Sequence, residues 1–312
     1  MSNITAAASS PTARQAYDYA LVDVFAERPL EGNPLAIFAD ARGLSTEEMQ
    51  SIARETNLSE TTFIFPRETA VEQERGVQVR IFTVAEELRF AGHPTIGTAS
   101  WLYWNHPMLR GAGKIMLDLP VGPIPVRFTP PQPNARGVFG IMQQNDPAFG
   151  EVHDRSALAA ALGLSLDDLD PNLPAQTVST GMPFCIVPLK SLDVAARLAI
   201  PQSTARQYLE ASDAKFFYCI TRSEAPGADW HARMQFYNGE DPATGSASGC
   251  AIAWLVLHGL AVSGQNVVIE QGVEMRRPSR IHASATLDGG GVKKVFVGGR
   301  TIPVANGRFF LP

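Results

Sequence analysis

Three side chains able to carry protons stand where local structure does not require them: Glu60, His93 and Asp241. Glu60 enters a run that is otherwise β-branched and aromatic, Thr61-Thr62-Phe63-Ile64-Phe65, where the plain structural account is a solvated strand edge. Asp241 precedes Pro242, a common setting for a helix N-cap, and His93 precedes Pro94 although histidine caps poorly. What sets His93 and Asp241 apart is that they fill one position of a repeated pattern. Laid without a gap over Arg80–Trp101, the stretch Met234–Trp254 puts Asp241 on His93, Pro242 on Pro94 and Gly245 on Gly97. Ser246, Ala247 and Ser248 then fall on Thr98, Ala99 and Ser100. An imidazole and a carboxylate at matched places suit proton transfer at a carbon next to a carboxyl or carbonyl group. One further side chain must act as base and then acid, and Glu60 is the candidate.

Each copy of the pattern reads as a strand, a tight turn and a helix. The first helix is expected to open at His93-Pro94, because proline at a helix's first position lacks only an N–H that would be unpaired there anyway. The free N–H groups of such a start, with the positive end of the helix dipole, favour a bound anion. Two lobes related by a pseudo-twofold axis would bring both starts to one cleft. There Gly92, Gly245 and Ser246 offer backbone and hydroxyl donors to a carboxylate and a developing enolate. The helix after His93 and the helix Gly245–Leu257 are apolar or small on most faces, so both are expected to be buried, the second with Gly259 as its C-cap.

The remaining chain supplies more strands than helices, and the two do not alternate. Strands are expected at Tyr19–Phe25, Leu35–Phe38, Phe63–Phe65, Val77–Phe82, Ile115–Leu119 and Ile124–Phe128 in the first half. Ser45 and Glu48 form a capping box for a helix running to about Thr56. The second half repeats the plan, with a pair of helices at Leu158–Leu162 and Leu166–Leu169 and closing strands at Val292–Gly298 and Gly307–Leu311. The fold class is therefore mixed α/β (α+β), a duplicated lobe whose mixed sheet wraps a central helix, rather than a doubly wound sheet. The breaker-rich segment Thr129–Asn134 is the expected boundary between an N-terminal lobe, 17–128, and a C-terminal lobe, 129–300, with 301–312 returning to the first.

Composition narrows the partners. The 312 residues are 45% hydrophobic and 18% charged with a net charge of −5, a globular balance without basic clusters, which argues against nucleic acid and acidic membranes. No window is long and apolar enough to span a bilayer, and Met1–Gln15 resembles neither a signal peptide nor an anchor. Cys185, Cys219 and Cys250 are an odd number without metal-ligand or redox spacing, as for buried free thiols in a reducing compartment, so a cytoplasmic location is expected. Neither a dinucleotide fingerprint nor a phosphate-binding loop is present.

The motifs Asn57-Leu-Ser-Glu-Thr-Thr-Phe, Phe90-Ala-Gly-His-Pro-Thr-Ile-Gly-Thr-Ala and Glu240-Asp-Pro-Ala-Thr-Gly-Ser-Ala together resemble the phenazine-biosynthesis PhzF-like isomerases. Gly32-Asn33-Pro34 and Glu270-Gln271-Gly272 fit the same family, and the resemblance runs from about Tyr19 to Leu311. It implies the diaminopimelate-epimerase-like fold, a homodimer, and acid/base catalysis on a small anionic carboxylate without metal or cofactor. By the same resemblance Glu60 is the proton shuttle, His93 and Asp241 bind and polarise substrate, and Asn33, Ser59, Gly92, Gly245 and Ser246 line the anion site. Relatives that racemise or epimerise amino acids carry a cysteine pair at the two turns, where this chain has Ala91 and about Pro242, so that chemistry is the less expected alternative. A non-catalytic binder of small anions is the other. Arg276 stands where the family often has glycine.

Overall fold

The computed structural model describes residues 15–130, 135–236 and 239–311. Part of the expected boundary, residues 131–134, lies outside them. In the first half β1 (Gln15–Val24), β2 (Asn33–Phe38), α1 (Thr46–Thr56), β3 (Glu60–Phe65), α2 (Thr69–Arg75), β4 (Val77–Phe82) and β5 (Glu87–Leu88) precede α3 (Gly92–Asn105), with β6 (Lys114–Leu119) and β7 (Gly122–Phe128) after it. The second half holds β8 (Val138–Gln143), β9 (Ala148–Val152), α4 (Arg155–Leu162), β10 (Gln176–Ser179), β11 (Pro183–Pro188), α5 (Leu192–Arg197), α6 (Gln202–Glu210) and β12 (Phe216–Arg222). It continues through β13 (Trp230–Arg233), β14 (Gln235–Phe236), β15 (Gly239–Glu240), α7 (Gly245–Leu257), β16 (Val267–Gln271), β17 (Ser279–Asp288) and β18 (Gly291–Leu311).

All these strands except β14 and β15 join one sheet, ordered β1-β2-β3-β4-β6-β7-β8-β18-β17-β16-β13-β12-β11-β10-β9. The long β18 is the seam, because its first part pairs with β17, its middle with β8 and its end, Thr301–Leu311, with β1. The sheet curls around two helices. α3 packs against β1, β2, β3, β6, β7, β8 and β18, while α7 packs against β10, β11, β17 and β18. Both are buried along nearly their whole length, as their small and apolar sequences require.

Strand alternation decides which side chains meet these helices. In β3, Phe63 turns outward to an aromatic cluster with Phe38 and Phe82 under α1, while Ile64 turns inward to the core around α3. Thr62 has the inward parity too and meets Thr98 of α3 at 2.9 Å. Glu60 shares that parity, so it faces the helix and not solvent. In β16 the inward residues are Val267, Ile269 and, by parity, Gln271, which leaves Glu270 for the outer face.

Several expectations need correction. Leu166–Leu169 is not a helix but a 3-10 turn at Leu166–Asp168. α2 was not expected, because it buries no residue and so carries no apolar period. The two closing strands are one, β18, running through Gly298-Gly299. A Cβ on Gly299 would lie 2.4 Å from the Phe25 ring, so the glycine accommodates a core aromatic and does not break the strand. The ungapped match is one of sequence, not of helix register. α3 begins at Gly92 after Ala91, whereas α7 begins at Gly245 after Thr244, five residues later in the overlay. Residues 241–244 form a separate turn, and Asp241 is not the N-cap of α7.

Candidate active site

Both helix starts come together. A Cβ placed on Gly92 would lie 3.3 Å from the Ser246 nitrogen and 3.5 Å from the Gly245 carbonyl carbon, so the start of α3 lies against the start of α7 and a side chain there would be tightly packed. Their first-turn N–H groups, which have no partner within their own helices, are thereby neighbours. Gln144, the residue after β8, fixes this end of α7 by donating to the Gly245 carbonyl at 2.9 Å and accepting from Thr180 at 2.6 Å.

Asp241 lies beside this junction, buried and hydrogen-bonded on both oxygens. Oδ1 accepts from Asn33 Nδ2 at 2.8 Å and from Ser59 Oγ at 3.2 Å, and Oδ2 accepts from Thr244 Oγ1 at 2.6 Å. Asn33 and Ser59 come from the first half of the chain and Asp241 from the second, so these bonds tie the halves together at the site. The second N–H of Asn33 goes to the Ala243 carbonyl at 3.0 Å. The donors of Asn33 and the Ser59 hydroxyl thus serve Asp241 and its turn. The helix-start groups, Gly92, Gly245 and Ser246, remain the donors suited to an anion.

Glu60 is held differently. It opens β3 opposite Leu35 of β2, and its side chain is 16% exposed. Its Oε2 has no hydrogen-bond partner, and His93 Nδ1 is 3.4 Å away. The neighbouring imidazole is itself buried, with Nε2 unpaired.

These environments set the protonation states. Burial pushes the Glu60 carboxyl well above its usual range, and the nearby charge of Asp241 adds to the rise. Burial also raises Asp241, but donors from Thr244, Ser59 and Asn33 oppose it. Burial alone lowers His93 to about 3, so the ring is neutral and does not pull the Glu60 proton away. Of two coupled carboxyls, the one without donors keeps the proton and the one with three donors gives it up. The arrangement can hold an anion at paired helix starts and exchange a proton beside it.

The structure places all eight residues named from the sequence around this junction, and the inward parity of β3 removes the solvated-edge alternative for Glu60. The sequence assigned no role to Thr244, Gln271 or Gln144. Thr244 lies inside the motif Glu240–Ala247 and Gln271 inside Glu270–Gly272, so their places were visible but their bonds were not. Gln144 carried no signal. The thiols lie elsewhere: Cys250 inside α7, Cys185 in β11 and Cys219 in β12, all buried. Neither helix start bears a cysteine.

Comparison with known proteins agrees with this geometry. The sequence matches the phenazine biosynthesis-like protein family, PhzC-PhzF, over residues 22–307. It is 35% identical to trans-2,3-dihydro-3-hydroxyanthranilate isomerase of Pseudomonas aeruginosa, over 94% of this chain and 99% of that one. The structure superposes on a PhzF-family protein of Bacillus anthracis with a TM-score of 0.84 at 27% identity, covering 95% of this chain and 100% of the other. A hydroxyproline epimerase of Agrobacterium vitis shares the fold at a TM-score of 0.61 and 11% identity, over 95% and 93% of the two chains. The chain belongs to the phenazine biosynthesis-like PhzF family, and it is an isomerase on the diaminopimelate-epimerase-like fold.

Proposed function

We propose that this isomerase moves a proton between two carbons of a small carboxylated substrate, with Glu60 as the only proton carrier and no cofactor. The observation that carries the reading is Glu60 itself: a carboxyl facing α3, unheld by protein donors on Oε2 and kept protonatable near neutrality by its surroundings. A binding protein would gain nothing from such a group beside an anion site, because its charged form repels the ligand. The substrate carboxylate sits at the starts of α3 and α7, where Gly92, Gly245 and Ser246 offer donors. Glu60, raised to about 8 and so ionised in part near neutrality, takes in its carboxylate form a proton from a carbon; the electron pair shifts along the conjugated system; Glu60 then returns the proton to a different carbon. Atoms and charge balance without electron transfer, so the step calls for no redox group. His93 and Asp241 orient and polarise the substrate on either side of Glu60.

The cysteine-pair route of racemisation is the weaker reading, since the helix starts carry no thiol and the three thiols are buried. As a first substrate we propose trans-2,3-dihydro-3-hydroxyanthranilate, the compound in the name of the Pseudomonas aeruginosa relative. The reading also includes a homodimer in the cytoplasm, which sedimentation and cell fractionation measure. The test is incubation in deuterated water with that compound and a panel of unsaturated and amino carboxylic acids, read by mass. Conversion of one panel member with solvent deuterium at the new carbon supports the reading. Binding without exchange across the panel supports the anion-binding alternative instead.

A further inference from the structure

Behind Asp241 lies a buried amide that makes three hydrogen bonds to one turn and a fourth to Tyr218 of β12. Gln271 ends β16, faces inward and is fully buried. Its Nε2 donates to the Asp241 carbonyl at 2.7 Å and to Thr244 Oγ1 at 2.9 Å. Its Oε1 accepts from the Thr244 N–H and from the Tyr218 hydroxyl, both at 3.0 Å. Tyr218 in turn meets Ser248 Oγ at 3.0 Å, and Ser248 donates back to the Thr244 carbonyl at 3.0 Å. An amide side chain has two donors and two acceptor sites, and every one is used.

The direction of these bonds carries the argument. Because Gln271 Nε2 can only donate, Thr244 Oγ1 must accept from it. The single hydroxyl proton of Thr244 is then free to point at Asp241 Oδ2, 2.6 Å away. Asp241 Oδ2 must accept that proton, just as Oδ1 accepts from Asn33 and Ser59. Among the described residues, every side chain hydrogen-bonded to the Asp241 carboxyl is thus a donor, a pattern that suits the ionised form and disfavours a proton on either oxygen.

We propose that Gln271 is a positioning residue which, by orienting the Thr244 hydroxyl, keeps Asp241 an ionised acceptor and leaves the exchangeable proton of the pair on Glu60. Its importance for turnover rests on the reading of Glu60 as the shuttle, whereas the placement of the proton does not. Among the described residues, the charged and titratable groups near Asp241 on neighbouring elements are Glu60 of β3, His93 of α3, Tyr218 of β12 and Glu240 of β15. The last is held away from the carboxyl by Arg233 of β13, in a pair at 2.6 Å. None of them donates to Asp241; Tyr218 touches the relay only through its bond to Gln271 Oε1.

The test needs no substrate. Protein labelled with carbon-13 at the aspartate and glutamate carboxyls is titrated by NMR, with the two signals assigned through Asp241→Asn and Glu60→Gln. The wild type should show Asp241 titrating below Glu60. Thr244→Val removes the hydroxyl but leaves the Gln271 bonds to the Asp241 carbonyl and the Thr244 N–H. It should raise the Asp241 midpoint by about one pH unit, the size expected for one charge-assisted hydrogen bond, and lower that of Glu60. Thr244→Ser should restore both. Gln271→Met should behave as Thr244→Val does and also lower the melting temperature. Should Thr244→Val and a folded Gln271→Met leave both midpoints in place, Gln271 is only a structural anchor and the proposal is wrong. If the midpoints move as stated while no panel substrate exchanges, the proton placement stands and the isomerase mechanism falls. If substrates exchange but the midpoints do not move, the reverse holds.

Discussion

Asp241 and Glu60 sit in one buried site and differ in what holds them: Asp241 accepts three side-chain hydrogen bonds, while Glu60 Oε2 accepts none. That asymmetry is the basis of the separate roles proposed for the two carboxyls. A carboxylate saturated by fixed donors changes protonation state reluctantly, so it orients. A carboxyl raised by burial and by a neighbouring charge, with no donor on Oε2, takes up and releases a proton near neutrality, so it can carry one.

A first consequence concerns stability. Glu60 binds its proton more tightly in the folded chain than in the unfolded one, because its folded value is raised from the ordinary 4.5. Its contribution is fully present below that ordinary value and is lost as pH rises through the folded one. Glu60→Gln removes the titration. The stability of the variant relative to wild type should therefore improve by about 4 kcal/mol between about pH 5 and pH 9. Denaturant unfolding across that range measures it; parallel curves would mean that Glu60 is not buried in solution as it is here.

His93 should show the opposite sign. Its folded value is lowered by burial to about 3, so the ring stays neutral when folded. The associated stability is fully present above the ordinary histidine value and is lost as pH falls from there toward about 3. Nitrogen-15 spectra of histidine-labelled protein should show a neutral His93 ring at about pH 5, where an exposed histidine is charged. A charged ring at that pH would mean that His93 holds the Glu60 carboxylate as an ion pair.

The expectation that Arg276 departs from a glycine position gains a physical basis in the backbone. Arg276 has φ +59°, a left-handed conformation that costs a side chain energy and glycine none. Its residue is exposed. Arg276→Gly should therefore stabilise the fold by about 0.5–1 kcal/mol, since relief of strain exceeds the added freedom of the unfolded chain. Thermal unfolding checks this, and a loss of stability would show that the side chain makes a contact worth more than the strain.

How much of this was legible beforehand follows from the range of each interaction. The Ser45–Glu48 capping box is local, and both of its bonds are present as the four-residue pattern implies. The two buried helices were legible because a helix apolar on all sides has no solvent face to give. The two glycine-bearing turns were visible as types and spacings, but their register was not. Whether 241–244 continues the helix or makes a turn depends on Gln271, nearly thirty residues away in sequence. Asn33 illustrates the same limit. Its place beside the site was readable, yet the direction of its amide, toward Asp241 and Ala243, depends on two residues from the other half of the chain.

The thiols should be silent. Burial raises Cys250 to about 11 and Cys219 to about 12, and pushes Cys185 well above the ordinary thiol value. In the folded protein all three should resist a thiol-specific reagent at neutral pH and react only on unfolding. Fast modification of one of them with loss of isomerase activity would place a thiol in the chemistry.

The central claim is that Glu60 alone carries the proton. Its most direct test is the incorporation of solvent deuterium into product, in deuterated water, by wild type, Glu60→Gln and Asp241→Ala, read by mass. Glu60→Gln should lower exchange by roughly 100-fold or more while substrate still binds, and Asp241→Ala should weaken both binding and rate. Exchange at the wild-type rate in Glu60→Gln, with exchange abolished in Asp241→Ala, would make Glu60 a bystander and contradict the account.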